Sequence, residues 1–347
     1  MAGKNYVEIA HETTFATAPS TGWRGVEAAD DSHQANVLTQ QRSGIRRGKQ
    51  GPMALGASSI VRGGTGTIKT QLLSNGLGLL LRAAIDAPTI TTPSGATLAR
   101  KHVYAWSATA STFSLATIVG REMTDGNVDH DVYTGGQVTE FKMAQGLGPD
   151  GGGVTSDTLA TCEFAVDYAA VDRAKAANGS TAYPDPLLAF GLGECTLSLG
   201  PDLGDLDPEC LNKFEATFPT GLDLANRCIS GSLAREKATR GEIPKPTLSL
   251  GRRYKSRALY DAFLDGDVMA FRAEWVGPTE IETGFPPSVR LDIPAIRFTG
   301  STPQMSEDAA TTQDLPAEVL WNGTDPLATL TLVTTDTAVE LHAADGR

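Results

Sequence analysis

The chain has little of what marks an enzyme. It contains no G-x-S-x-G, no GxxxxGK[ST] and no HExxH. Its five histidines, His11, His33, His102, His130 and His342, are scattered, and none stands at metal-ligand spacing from another His, Cys or carboxylate. The four cysteines, Cys162, Cys195, Cys210 and Cys228, lie far apart without a CxxC pair, which supports neither a zinc site nor a thioredoxin-type motif and predicts reduced, partly buried thiols. Positive charge is also scarce: the net charge of −12 argues against a protein that grips nucleic acid by neutralising phosphates, though not against one that lets it slide past. Long apolar runs are missing too. The most apolar stretch, Leu77 to Ile85, is far shorter than the ~20 residues of a bilayer crossing. The N-terminal "MAGKNYVEIAHETTF" lacks the order of a signal peptide, so the expected place of synthesis is a cytoplasm.

Weaker candidates for chemistry dissolve on inspection. "VRGGTGTIK" resembles a phosphate loop only superficially, because it lies in a strand pattern without the helix that should follow. Asp202, Asp205, Asp207 and Glu209 in "PDLGDLDPEC" could present hard oxygens to calcium, but the spacing departs from the EF-hand and its glycine is missing. A solvated turn is the simpler reading there, and likewise for Asp125, Asp129 and Asp131. No cofactor, metal or catalytic residue is expected.

What the sequence has is 37 glycines and 19 prolines with 20% charge, a composition for many short strands joined by turns. Strand patterns run through 57–72, "HVYAWSA", "STFSLATIVG", 137–145 and 158–170. In "VTEFKM" the alternation offers Phe141 and Met143 to a core. A short helix is expected at 74–88, capped by Ser74 or Asn75, with Leu77, Leu80, Leu81 and Ala84 on one face at i, i+3, i+4, i+7. Gly76 and Gly78 weaken it, so tertiary packing must hold it.

Residues 176–186 read as a linker, after which the pattern starts again. "GECTLSLG", "LNKFEATF" and "KPTLSLG" lead to a second helix with Leu259, Ala262 and Phe263 on its core face, then to "DVMAFRAEWVG", "VRLDIPAIRFTG" and "PLATLTLVT". Thr67 and Thr247 open strands, Leu79 and Leu259 sit in helices, and both pairs are 180 residues apart. A fixed offset is the mark of duplication. The expected organisation is therefore two related units, 1–175 and 187–347, each mainly β with one helix and a long loop. Each loop is basic: Arg42, Arg46, Arg47 and Lys49 in the first, Arg235, Lys237 and Arg240 in the second. Such charge in an acidic protein looks for nucleic acid or for the acidic surface of another copy.

Taken in order, "YVEIAHETTFATAPSTGWRGV", "SGIRRGKQG", "GTIKTQLLSNGLGLLLRAAI", "SLGRRYKSRALYDAFLDGDVMAFRAEWVG" and "LDIPAIRFTGSTP" resemble the major tail tube proteins of long-tailed, siphovirus-type bacteriophages. The fit is poorest around 90–130 and in the C-terminal "DTAVELHAADGR". The resemblance implies an antiparallel β-sandwich or barrel unit with a flanking helix, assembled side by side into rings that stack into a hollow tube for DNA. It implies tape measure, terminator and distal tail proteins as partners, assembly in the host cytoplasm and a place in the virion. It also places long loops at 35–56 and 225–243, making the seven basic residues the expected ring-to-ring contacts. Three chains per ring is the favoured count, six the alternative. A carbohydrate- or protein-binding β-sandwich module is the competing reading, with Trp321 the one tryptophan outside a strand-like run.

Overall fold

Alternation of apolar and polar side chains turns most of this chain into antiparallel strand. The computed structural model describes residues 5–41, 57–106, 113–146, 159–173, 183, 188–225, 235–300, 302–303 and 311–337. Within them the chain is mainly β with two short α-helices. No described helix is long and apolar enough to cross a membrane.

The first half opens with β1 (Tyr6–His11), β2 (Arg24–Val26), β3 (Ala28–Asp31), β4 (Gln34–Gln41) and β5 (Ala57–Gln71). Helix α1 (Gly78–Ala84) follows, then β6 (Thr89–Thr91), β7 (Arg100–Ala105), β8 (Leu115–Glu122), β9 (Val128–Gly146), β10 (Thr161–Tyr168) and β11 (Ala170–Arg173). Two strand sets share the long β9. Its N-terminal part lies between β8 and β11, and β8 carries β1 and β2 outward in the order β2–β1–β8–β9–β11. Its C-terminal part pairs with β10, giving β9–β10–β5 with β3 and β4 on the far side of β5. In β10 the alternation is complete: Cys162, Phe164, Val166 and Tyr168 are buried and their neighbours are not. Phe141 and Met143 of β9 are buried, as the pattern of "VTEFKM" requires.

The second half contains β12 (Cys195–Asp202), β13 (Asp205–Pro208), β14 (Lys213–Pro219), β15 (Leu222–Asp223), β16 (Thr239–Arg240) and β17 (Thr247–Arg253). Helix α2 (Ala258–Asp265), β18 (Val268–Val276), β19 (Ser288–Phe298), β20 (Thr312–Val319) and β21 (Thr329–Thr334) complete it. Its strands pair as β13–β12–β18–β19–β21 and as β14–β17–β20–β19. This is the order of the first half, with β15–β16 standing where the β4–β5 hairpin stands. The register agrees as well: Ile68 faces Phe164 and Leu248, 180 residues on, faces Ala317. What the first half has in addition is β6 and β7, and β7 pairs with β21 of the second half. That addition falls at the start of the stretch around 90–130 whose fit to the resemblance is poorest.

The helices differ more than their sequences suggest. Leu77, Leu80, Leu81 and Ala84 are buried, but so are Gly78, Leu79 and Ala83, so α1 is enclosed on nearly every side and packs against β9. Helix α2 packs against β19, the counterpart of β9, yet only Leu259 is buried; Ala262 and Phe263 are half-buried. The expected cap at Ser74 or Asn75 is not formed. The N-cap is Leu77, with no side-chain bond, because the Ser74 hydroxyl accepts from Leu188 N at 3.2 Å instead. Gly76 adopts a left-handed φ of 83°, and its N–H donates to Asp336 Oδ2 at 2.8 Å.

Residues 35–41 of the expected loop belong to strand β4. Period-two alternation reports a buried face, and the described side chains of the distal β4–β5 hairpin offer only a weak one: Leu38 and Ile60 are half-buried and Val37 is 50% exposed. Asp129 and Asp131 likewise lie on β9 and not in a turn.

Candidate assembly interfaces

The two halves meet through a strand pair. β14 lies between β17 of its own half and β9 of the first, with Ala216 opposite Met143 and Thr217 opposite Lys142. Lys142 Nζ reaches Glu215 Oε1 across the junction at 3.1 Å. Aromatic rings close it from one side. Trp106 stacks on Phe218 at 4.1 Å and on Phe141 at 5.7 Å, and Trp275 Nε1 donates to Gln145 Oε1 at 2.7 Å. Residues from both halves thus form one core, and a sheet runs unbroken from β3 through β5, β10, β9, β14, β17 and β20 to β19. At one end β3 is a strand edge; at the other, β19 is flanked on both sides up to Arg297 and opens only at Phe298. Among the described residues β3 pairs only with β5, and β19 runs past its last partner in β18, Val268 opposite Arg297. Such an edge is a template for another strand.

A hairpin arm leaves the sheet next to each unit's first strand. The first is β4 and the start of β5; Arg42, Arg46, Arg47 and Lys49, which follow β4 in sequence, lie outside the described residues. The second, around β15 and β16, folds back onto the first half. Arg235, expected at a ring-to-ring surface, has its side chain fully enclosed. Its Nε donates to Asp167 Oδ1 at 2.8 Å, Nη1 to Gln137 Oε1 at 2.8 Å and Nη2 to Asp167 O at 3.1 Å. Gln137 also exchanges bonds with the backbone of Ala238. A guanidinium pinned this way is unavailable to a neighbour. Of the same loop, Lys237 is exposed, and Arg240 is half-buried with Nε donating to Glu242 O at 3.1 Å. Nothing in the sequence distinguished Arg235 from these two, since Asp167 lies 68 residues away.

The family model for phage tail tube protein matches residues 4–319. The chain belongs to the phage tail tube protein family. Comparison with curated proteins found no match. Membership makes the chain a structural component of a virion tail that assembles with its own kind, and not an enzyme.

A buried polar cluster fixes the base of the first arm in this tail tube protein. His33 Nδ1 bonds Asp31 Oδ1, while its Nε2 meets the Tyr168 hydroxyl at 2.7 Å; that hydroxyl also bonds Thr117 at 2.8 Å. Arg121 bridges Asp131 at 3.0 Å and Asp31 at 3.3 Å. Burial pushes the Asp31 carboxyl up, but its bonds to His33 and the charge of Arg121 offset this and hold it below the usual carboxylate range. Beside this cluster an open groove of about 860 Å³ is lined by Glu27, Asp30, Asp31 and Glu122, with Arg121 among them.

Of the remaining acidic candidates, Asp202 and Asp125 serve turns, while Asp207 lies on strand β13. Asp202 Oδ1 accepts from Gly204 N at 2.7 Å and Asp205 N at 3.1 Å, closing the β12–β13 hairpin, and Glu209 reaches Arg252 at 3.5 Å. Asp125 Oδ1 accepts from Asn127 N at 3.0 Å in the same manner. Among the described residues no group of His, Cys, Asp and Glu could hold a metal ion. Cys162 is buried and Cys195 half-buried, burial pushing the thiol of Cys195 up to about 12, while Cys210 is exposed; Cys228 lies outside the described residues. No pattern in the sequence marked Glu282, whose carboxylate accepts from the N–H groups of Thr97, Leu98 and Ala99 and so ties the added segment to the second half. Those backbone donors hold its carboxyl down at about 2.

Proposed function

We propose that this chain is the tube-forming subunit, that it arose by duplication of a β-sandwich unit, and that three copies close a ring. The units are 1–175 and 187–347, joined by a linker at 176–186 of which only Tyr183 is described. The single observation carrying this reading is the β9–β14 junction. It joins two units of equal pairing order side by side through their sheets, as neighbours in a ring must be joined, and it leaves β3 and the Phe298 end of β19 open. Phe298 holds the place in the second unit that Phe141 holds in the first, opposite Ala317 and Phe164 respectively. By the same register Asp31 of one chain faces Gly300 of the next, as Ala216 faces Met143 within it. A ring of six such units needs three chains.

Rings then stack head to tail, a contact that grows without closing. We assign this contact to the basic loop residues other than Arg235, namely Arg42, Arg46, Arg47, Lys49, Lys237 and Arg240, facing acidic surface on the next ring. A net charge of −12 per chain, repeated around each ring, keeps DNA phosphates from adhering to the wall. Tape measure, terminator and distal tail proteins complete the tail. The size of the subunit favours a flexible, siphovirus-type tail without a contractile sheath.

The test is electron microscopy of tubes assembled from purified protein, with subunits counted in cross-section. Three chains and six similar lobes per ring are expected. Six chains per ring would overturn the trimer, and a stable sugar-binding monomer would overturn the tube.

A further inference from the structure

We infer that Trp321, with Ile243 at the same end of the sheet, is the seat on which the first arm of a second copy of this chain docks. The inference rests on the tube reading above and names one of its contacts. Trp321 is 69% exposed and Ile243 79%, while Trp23, Trp106 and Trp275 are all at least nine-tenths buried. Val319 N donates to Pro246 O at 3.1 Å, so the segments carrying Trp321 and Ile243 leave the β17–β20 pair at one end. An exposed tryptophan with an apolar body and a polar tip is the kind of side chain that anchors protein contacts.

The occupant follows from the first unit. There the corresponding end of the β5–β10 pair, where Asp167 faces Thr65, is covered by the second arm through Arg235 and Ala238. Continuing the Val319–Pro246 register puts Leu320 in the position of Asp167. The second arm is already engaged on the first unit, so the end of the second unit needs a different arm. The first arm springs from β3, the open edge of the sheet, just as the second springs from β14 at the junction. Whatever strand extends the sheet at β3 therefore receives the first arm on its own sheet end, in continuity with the junction already described.

The chemistry of the two seats differs in the same sense as that of the two arms. Within the chain, a polar arm with a guanidinium meets a carboxylate and an amide. The first arm instead presents Val37 and Val61 directly opposite each other, 50% and 37% exposed, and the seat left for it is tryptophan, isoleucine and leucine. An isolated two-stranded hairpin is marginal in water, so the arm gains from being covered. Because each arm matches only one seat, the pairing also discriminates against an arm folding onto the wrong unit.

The experiment is acrylamide quenching of tryptophan fluorescence before and after assembly, with tubes confirmed by electron microscopy. Unassembled protein should have one readily quenched tryptophan, lost in Trp321→Phe, and assembly should abolish that quenchable component. A Val37→Asp, Val61→Asp double variant, both changes being at exposed positions, should retain native circular dichroism and either fail to assemble or form tubes with Trp321 still quenchable. Wild-type tubes with an accessible Trp321, or double-variant tubes that shield it fully, overturn this inference alone. A wild-type chain that stays monomeric overturns the tube reading and this inference with it.

Discussion

The Arg235 guanidinium, shut off from solvent, donates to the Asp167 carboxylate at 2.8 Å. The two residues belong to different halves of the chain, so this bond fastens the second arm to the first unit. Together with the β9–β14 junction it ties the halves to each other, although each repeats the pairing order of the other.

Removing the cation should therefore destabilise the whole chain. Arg235→Ala leaves the Asp167 carboxylate and the Gln137 amide oxygen without their charged donor, and losing one partner of a buried pair costs about 3–5 kcal/mol. Because the Asp167 side chain is 16% exposed, the lower end of that range is expected. Urea unfolding of Arg235→Ala and Lys237→Ala provides the contrast: the exposed Lys237 should change stability by less than about 0.5 kcal/mol. Equal effects would show that the arm is not held by Arg235.

The enclosure of α1 gives a second expectation. Leu80 is wholly buried, so Leu80→Ala should cost about 2–5 kcal/mol and Leu80→Asp should prevent folding or tube assembly. On α2 the exposed Leu264 should tolerate Asp within about 0.5 kcal/mol. Thermal unfolding of the three variants measures the difference, and a normally assembling Leu80→Asp protein would remove α1 from the core.

At the junction, backbone pairing and charge separate cleanly. Lys142 and Glu215 are each about one-third exposed, so Lys142→Ala should cost less than about 1 kcal/mol. Ala216 sits in a strand flanked on both sides, by Met143 and Leu248, where proline cannot supply its share of the ladder. Ala216→Pro should abolish cooperative unfolding of the native state, as followed by circular dichroism. Retention of a native melting curve would mean that the β9–β14 pairing is dispensable.

These contacts show what was legible in the sequence. Strands with one buried face announced themselves, as Phe141 and Met143 do, and the 180-residue offset of Leu79 and Leu259 pointed to helices that pack on counterpart strands. Strand β4 was not legible, because its described side chains are at most half-buried and impose only a weak period. Nor was the burial of Arg235, whose partners Gln137 and Asp167 are brought to it only by the folding of β9 and β10. Local pattern reports local burial; the arms and the junction are set by contacts between residues far apart in the chain.

The added β7 carries a pH dependence. His102 is buried, with Nε2 bonded to Asp336 O at 2.9 Å. Burial, reinforced by the charge of Arg100 and only partly opposed by the Asp336 carbonyl, pushes its pKa below the ordinary 6.5. The folded chain thus resists a proton that the unfolded chain accepts, and the stabilisation, complete above the unfolded-state pKa, declines as pH falls below it. In His102→Gln a side-chain amide can still donate to Asp336 O but does not titrate. The urea midpoint of the wild type relative to this variant should therefore fall between pH 7.5 and pH 5.5, with the β7–β21 pairing as the region that loosens. A midpoint difference independent of pH would mean that His102 takes up its proton equally in both states.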